Sequence, residues 1–196
     1  MNTQVACALV HYPVLDKAGS EVTAAITNID LHDISRSSLT FGLGRFYVVH
    51  PVAAQRELAE RIRGHWVGGS GAKRIPDRSP ALRNVRIVPS LHAALEDWSA
   101  EQEQAAELWT TSAQPISKRG LTHAQARRRL KNGGSPVLLG FGTAWGLSPS
   151  VHEQASHHLA PIESTRADGY NHLSVRAAAA ILFDRLLGGC SPVTAE

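Results

Sequence analysis

A chain of 196 residues with 43% apolar side chains is long enough to build one domain around a substantial core, and too apolar to be disordered. Its formal charge of +3 is mildly basic and proves no partner by itself, and its two cysteines, Cys7 and Cys190, form neither a disulfide framework nor a zinc site. No stretch approaches the roughly 18 apolar residues of a membrane helix, and Met1-Asn2-Thr3-Gln4 lacks the basic-then-apolar layout of a signal peptide, so a cytoplasmic protein without membrane partners is expected.

Val5 to Val10 is an apolar run closed by His11-Tyr12-Pro13, the pattern of a buried strand. A polar loop through Asp16-Lys17-Ala18-Gly19 follows. Leu31, Ile34 and Leu39 recur at near-helical spacing from about Asp30 to Thr40, until Gly42 and Gly44 stop the run. Arg45 to Val49 reads as the second strand, and residues 52–66 as a helix. Residues 67–80, rich in glycine, proline and charge, read as a long loop. Asn84 to Val88 is a third strand, after which Ser90 caps a helix carrying Leu91, Leu95 and Trp98. Residues 107–111 form a fourth strand. Thr122 and Gln125 have capping-box spacing at the start of an arginine-rich helix that Gly133-Gly134 ends. The fully apolar run 136–142 is the fifth strand. A short helix over 149–157, a brief sixth strand over 159–162 and a strong final helix over 173–187 complete the chain.

Strands alternating with helices predict an α/β fold: a mostly parallel sheet with helices on both faces, in one domain over 1–188, with 189–196 as a flexible tail. In such sheets ligands bind beyond the carboxyl ends of the strands. Three segments meet that description in the C-terminal third: Gly140-Phe141-Gly142-Thr143-Ala144-Trp145-Gly146-Leu147, then Ile162-Glu163-Ser164, then Gly169-Tyr170-Asn171-His172-Leu173-Ser174 entering the last helix. Glycines packed this densely let a backbone approach a ligand closely.

Other chemistries are poorly served. Gly68-Gly69-Ser70-Gly71-Ala72-Lys73 lacks phosphate-loop spacing, and no Gly-x-Ser-x-Gly elbow is present. His152, His157 and His158 have no cysteine or carboxylate spacing to support a metal. Basic residues gather at Lys73-Arg74, Arg78, Arg83 and Arg86, then at Lys118-Arg119, and at Arg127-Arg128-Arg129 with Lys131. Acidic residues gather at Glu96-Asp97 and in Glu101, Glu103 and Glu107. Lys73, Arg74, Arg127, Arg128 and Arg129 are the candidate phosphate contacts, weighed against an ordinary solvated face.

Leu138 to Leu147, followed by Tyr170-Asn171-His172-Leu173-Ser174-Val175-Arg176-Ala177-Ala178-Ala179-Ala180-Ile181, resembles the SPOUT methyltransferases, in particular a small stand-alone bacterial branch of S-adenosylmethionine-dependent RNA methyltransferases related to the tRNA guanine-N1 enzymes. Asn28 to Ser37 is similar to the first motif of that branch. The resemblance implies a deep C-terminal trefoil knot, S-adenosylmethionine as cofactor, an RNA substrate, tRNA foremost, and a homodimer formed through the knot region and the last helix, whose Val175, Ala178, Ile181, Leu182 and Phe183 exceed one narrow stripe. It places Leu139, Gly140, Phe141, Gly142, Thr143, Ala144, Trp145, Gly146, Ile162, Glu163, Ser164, Tyr170, Asn171, Leu173 and Ser174 around the cofactor. The ribose-methylating branch carries an Asn-x-x-x-x-x-Arg motif; here Asp30-x-x-Asp33-x-x-Arg36 has that spacing with aspartate for asparagine. Arg36, Asp33 and Asn171 are thereby the catalytic candidates, and a ribose 2′-oxygen is expected as acceptor ahead of a base nitrogen. The alternative function is a non-catalytic RNA- or nucleotide-binding module on the same fold.

Overall fold

The computed structural model describes residues 4–116 and 120–189. Its framework is a six-stranded sheet in the order β5-β4-β1-β7-β6-β8, built from β1 (Val5–Val10), β4 (Phe46–Val49), β5 (Val85–Val88), β6 (Glu107–Thr110), β7 (Val137–Gly142) and β8 (His157–His158). Every neighbouring pair is parallel. β1 and β7 are central and paired from Val5↔Val137 to Val10↔Gly142. Strands covered on both faces read as continuous apolar runs, as the wholly buried β1 does.

The pleat sends alternate residues to two cores. Val5, Cys7 and Leu9 join Phe46, Leu139 and Phe141 under α1 (Asn28–Thr40), α2 (Ala53–Val67), α4 (Ser79–Arg83), α6 (His123–Lys131) and α8 (Val175–Leu187). Ala6, Ala8 and Val10 join Tyr47 and Leu138 under α5 (Leu91–Glu101) and α7 (Pro149–Glu153). Helices therefore cover both faces, as the alternation of elements predicts. On the first face α8 lies between α1 and α6.

Local chemistry accounts for the helix starts. Thr27 accepts from the amide of Asp30 at the head of α1, Ser90 from Ala93 at α5, and Ser174 from Ala177 at α8. Thr122 and Gln125 form the anticipated capping box of α6.

Four readings are corrected. Residues 67–80 are not a plain loop: they hold α3 (Ser70–Arg74), a 3-10 turn (Pro76–Arg78) and the start of α4. Short amphipathic turns pack against a neighbouring helix without needing the long periodicity that marks a helix in sequence; here α3 leans on α2, and Arg78 stacks 4.9 Å over Trp66. The sixth strand is His157–His158 rather than 159–162, because its ladder partners are Trp109 and Thr110. The short helix after Pro149 ends at Glu153. The loop around Asp16 is flanked by a two-stranded hairpin, β2 (Val14–Leu15) with β3 (Glu21–Val22), too short to show alternation. The expected tail, 189–196, lies outside the described residues apart from Gly189, as does Cys190; Cys7 is a buried thiol in β1 whose pKa burial raises.

Candidate active site

A cavity of about 630 Å³ opens beyond the carboxyl ends of the central strands, where ligands of parallel sheets are received. Four stretches wall it: Ala24 to Asp30, Thr111 to Gln114, Phe141 to Gly146, and Ala160 to Leu182 through the head of α8.

The glycine loop after β7 is held by main-chain bonds. Both the amide and the Oγ1 of Thr143 donate to the carbonyl of Val10 at 3.1 Å. The amide of Trp145 donates to Leu15, and that of Leu15 returns to Gly146. The unforeseen β2–β3 hairpin is thus the clamp on this loop. Ala144 and Gly146 take left-handed φ of 51° and 103° to make the turn. Gly142 is demanded by the loop itself, since a Cβ there would lie 2.4 Å from the amide nitrogen of Leu147. Asn171 ties the second segment to the third through an Nδ2 bond of 2.7 Å to the carbonyl of Ile162.

The cavity brings together most of the residues expected around a cofactor: Phe141, Gly142, Thr143, Ala144, Trp145, Gly146, Ile162, Asn171, Leu173 and Ser174 line it. Leu139 and Gly140 do not. Leu139 is buried in the helix-rich core, and a side chain on Gly140 would point at Leu108 and Leu147 on the opposite face. Glu163, Ser164 and Tyr170 also lie off the lining; Ser164 accepts from the amide of Arg166, and Tyr170 packs on His172 with ring centroids 5.1 Å apart.

Of the catalytic candidates, Asn171 lines the cavity. Asp33 lies just outside it, 3.5 Å from Arg176, and Arg36 is exposed on α1 away from the lining. Asp33 and Arg36 do not pair with each other at three-residue spacing; α8 supplies the partner. The polar centre of the cavity is Asp30 with Arg176, 3.1 Å apart across 146 residues of sequence. Arg176 was missed by sequence reasoning, although a signal existed: a cation in the first turn of a helix opposes the helix dipole and is stabilised by a carboxylate nearby. The Ala24–Thr27 wall carried no such signal.

Beside this wall sits His11, fully buried at the end of β1, with neither ring nitrogen hydrogen-bonded among the described residues. Burial, then the neighbouring His50, pushes its pKa down to about 4; the charge of Asp30 and the nearby backbone of Ala24 and Ala25 pull the other way. His50 accepts from the amide of Val52 at Nδ1, which leaves Nε2 to donate to the carbonyl of Ala24 at 3.1 Å.

Charges separated in sequence are partly paired in space. Arg86 lies 3.5 Å from Asp97 and 3.8 Å from Glu101, and Arg129 lies 3.5 Å from Glu107. Arg127 donates to the carbonyls of Arg185 and Gly188 and thereby caps α8. Lys73, Arg74 and Arg128 are exposed. Lys118 and Arg119 lie outside the described residues. His152 and His158 bracket the hydroxyl of Thr110 at 3.0 and 2.9 Å, which accounts for two of the clustered histidines. Among the described residues no group of three or more His, Cys, Asp or Glu is placed to hold a metal ion, and no helix is long and apolar enough to cross a membrane.

A mostly parallel sheet with its cavity at the glycine loop and the head of the last helix defines the class, and the comparisons agree with it. The chain belongs to the SAM-dependent RNA methyltransferase family, whose family model matches residues 4–188. It is 47% identical over 182 residues to a tRNA (guanine-N(1)-)-methyltransferase of Oleidesulfovibrio alaskensis, a match taking in 93% of this chain and 41% of the relative. The chain therefore spans about two fifths of that relative's length. Among solved structures it is similar to TrmJ from Z. mobilis ZM4, with a TM-score of 0.58 at 18% identity over 97% of this chain and 72% of that one. It is also similar to the SpoU methyltransferase AviRb from Streptomyces viridochromogenes in complex with AdoMet, with a TM-score of 0.53 at 14% identity over 93% of this chain and 56% of that one. These two likenesses establish the fold.

The family's cofactor, S-adenosylmethionine, can be tested against the cavity's own chemistry. Its volume lies within the roughly 300–1,000 Å³ typical of small-molecule sites. Apolar Phe141, Ile162, Leu173 and Leu182 suit a purine, while Thr143, Asn171 and Ser174 supply a few polar groups among closely approaching backbone. The residues present fit the group.

Proposed function

We propose that this protein transfers a methyl group from S-adenosylmethionine to RNA, with tRNA as the substrate. The observation that carries this reading is the cavity walled by the glycine loop, the Asn171 segment and the head of α8, in a chain of the SAM-dependent RNA methyltransferase family. When bound there, the cofactor supplies an electrophilic methyl carbon on a sulfonium. The chain's own contribution is alignment and removal of a proton. Residues 141–146 and 171–174 hold the cofactor against the sheet edge. Asp33, beside the cavity through its contact with Arg176, and Arg36, exposed further along α1, orient the incoming RNA, and the exposed Lys73, Arg74 and Arg128 meet its phosphates.

The acceptor is proposed to be a ribose 2′-oxygen, from the Asp30-to-Arg36 spacing that resembles the ribose-methylating motif. The relative's printed name gives guanine N1 instead, and nucleoside analysis distinguishes the two. Residues 1–188 acting as one cytoplasmic domain, its C-terminal segment knotted and dimerised through α8, belong to the same proposal.

Calorimetry with S-adenosylmethionine tests the first step, and incubation with labelled cofactor and unmodified tRNA, followed by nucleoside analysis, tests the second. Binding without methyl incorporation would leave a binding module; no binding would overturn the reading. A stable monomer with full activity in sedimentation at micromolar concentration would remove the dimer.

A further inference from the structure

Building on the methyltransferase reading, we propose that Asp30 accepts the proton of the RNA group being methylated and that Arg176 is the positioning residue that holds the Asp30 carboxylate at the cavity. Among the described residues lining the cavity, Asp30 is the one carboxylate and Arg176 the one arginine or lysine. The Asp30 side chain is 11% exposed. Thr27 donates its hydroxyl to Oδ2 at 2.6 Å, and Arg176 donates Nη1 to Oδ1 at 3.1 Å. An ionised carboxylate has about four acceptor sites, so two donors leave lone pairs for a third group in the cavity.

The surroundings are arranged around that carboxylate. Arg176 occupies the first turn of α8, where the helix dipole disfavours a cation. Asp30 and, 3.5 Å away, Asp33 are what hold it there. Arginine itself remains protonated and cannot take a proton. The groups around the Asp30–Arg176 pair are Thr27 at the cap of α1, Asp33 on α1 against Arg176, and His11 following β1. His11 is neutral near pH 7, its pKa held low by burial and by His50, and adds no charge that would replace Arg176.

The step balances with the methyl donor already named. The acceptor's lone pair forms the bond to the methyl carbon, and the carbon–sulfur bond breaks with its electrons left on sulfur. The acceptor's proton, from a ribose O–H or a ring N–H, passes to Asp30 and then to water.

The test uses the full chain, labelled S-adenosylmethionine and total RNA from cells lacking this protein's gene, in single-turnover assays from about pH 6 to 9. Loss of a positioned base costs about 100-fold or more in rate, so Asp30→Asn is expected to fall by that factor. Its residual rate should climb about tenfold per pH unit where the wild type is flat, because hydroxide must then take the proton. Binding of S-adenosylhomocysteine, measured by calorimetry, and the melting temperature should stay near wild type. Asp30→Glu, which keeps the carboxylate, should recover part of the rate and the flat profile, and Arg176→Lys should lower kcat while leaving KM for RNA nearly unchanged.

Wild-type turnover in Asp30→Asn overturns the proposal. So does a loss accompanied by lost S-adenosylhomocysteine binding, a loss with the wild-type pH profile, or failure of both Asp30 variants to fold, since each of these makes Asp30 a structural or cofactor-holding group. A wild-type protein that neither binds the cofactor nor labels the RNA overturns the methyltransferase reading itself.

Discussion

His11 gives the sharpest physical prediction because its cause is local and its sign is fixed. Its imidazole is fully buried, lacks a hydrogen-bond partner among the described residues, and has its pKa pushed from 6.5 down to about 4 by burial and by His50. In the folded state the ring is therefore neutral through mildly acid conditions, whereas in the unfolded chain it takes a proton near 6.5. The stability linked to this difference is fully present above pH 6.5 and is lost as the pH falls toward 4. A shift of this size is worth about 3 kcal/mol in all, of which about 2 kcal/mol is gone by pH 5. Replacing the ring with an apolar side chain of similar size, His11→Leu, removes the titration. Urea unfolding at pH 7.5 and pH 5 should show the wild type losing about 2 kcal/mol more than the variant between the two conditions. His32, His50, His123, His152 and His157 are also shifted downward by burial, but they remain in both proteins, so the difference isolates His11. Equal losses in the two proteins would refute the reasoning.

Gly142→Val should destabilise the fold by about 3 kcal/mol or more, because its Cβ meets the Leu147 amide before any ligand; thermal unfolding unchanged within a degree would contradict the loop packing. Arg127→Ala should cost about 2 kcal/mol by freeing two carbonyls at the end of α8, whereas Arg128→Ala should leave stability within about 0.5 kcal/mol and weaken RNA binding, most visibly at low salt. Denaturant titration and filter binding separate the two arginines, and equal effects on stability would refute the distinction. Arg36→Ala is expected to reduce turnover more than RNA affinity in single-turnover assays; wild-type turnover would return Arg36 to an ordinary exposed side chain.

Periodicity and caps carry information that acts within a few residues, and those parts of the molecule were legible in sequence. The buried strands, the Thr122–Gln125 box, the Ser90 cap and the long helices follow from local pattern, and the three C-terminal segments follow from apolar strands running into glycine. The glycine loop and the Asn171 segment of the cavity lining were therefore readable in sequence, while the Ala24–Asp30 and Thr111–Gln114 walls were not. What sequence could not assign were meetings between distant segments. No local rule places Arg176 beside Asp30, lays the β2–β3 hairpin along the glycine loop, or turns Arg127 toward the end of α8 instead of toward solvent. Each depends on the strand order, which sets β7 between β1 and β6 and so lowers α8 between α1 and α6. By itself the sequence determined the long helices, the main strands, the parallel sheet and the end of it where the cavity opens, because these arise from side-chain alternation, capping and glycine freedom along the chain. Only the tertiary structure decided which charges face the cavity and which merely cap a helix or pair on the surface, because those partnerships join residues on different elements, 58 positions apart for Arg127 and Arg185 and 146 for Asp30 and Arg176.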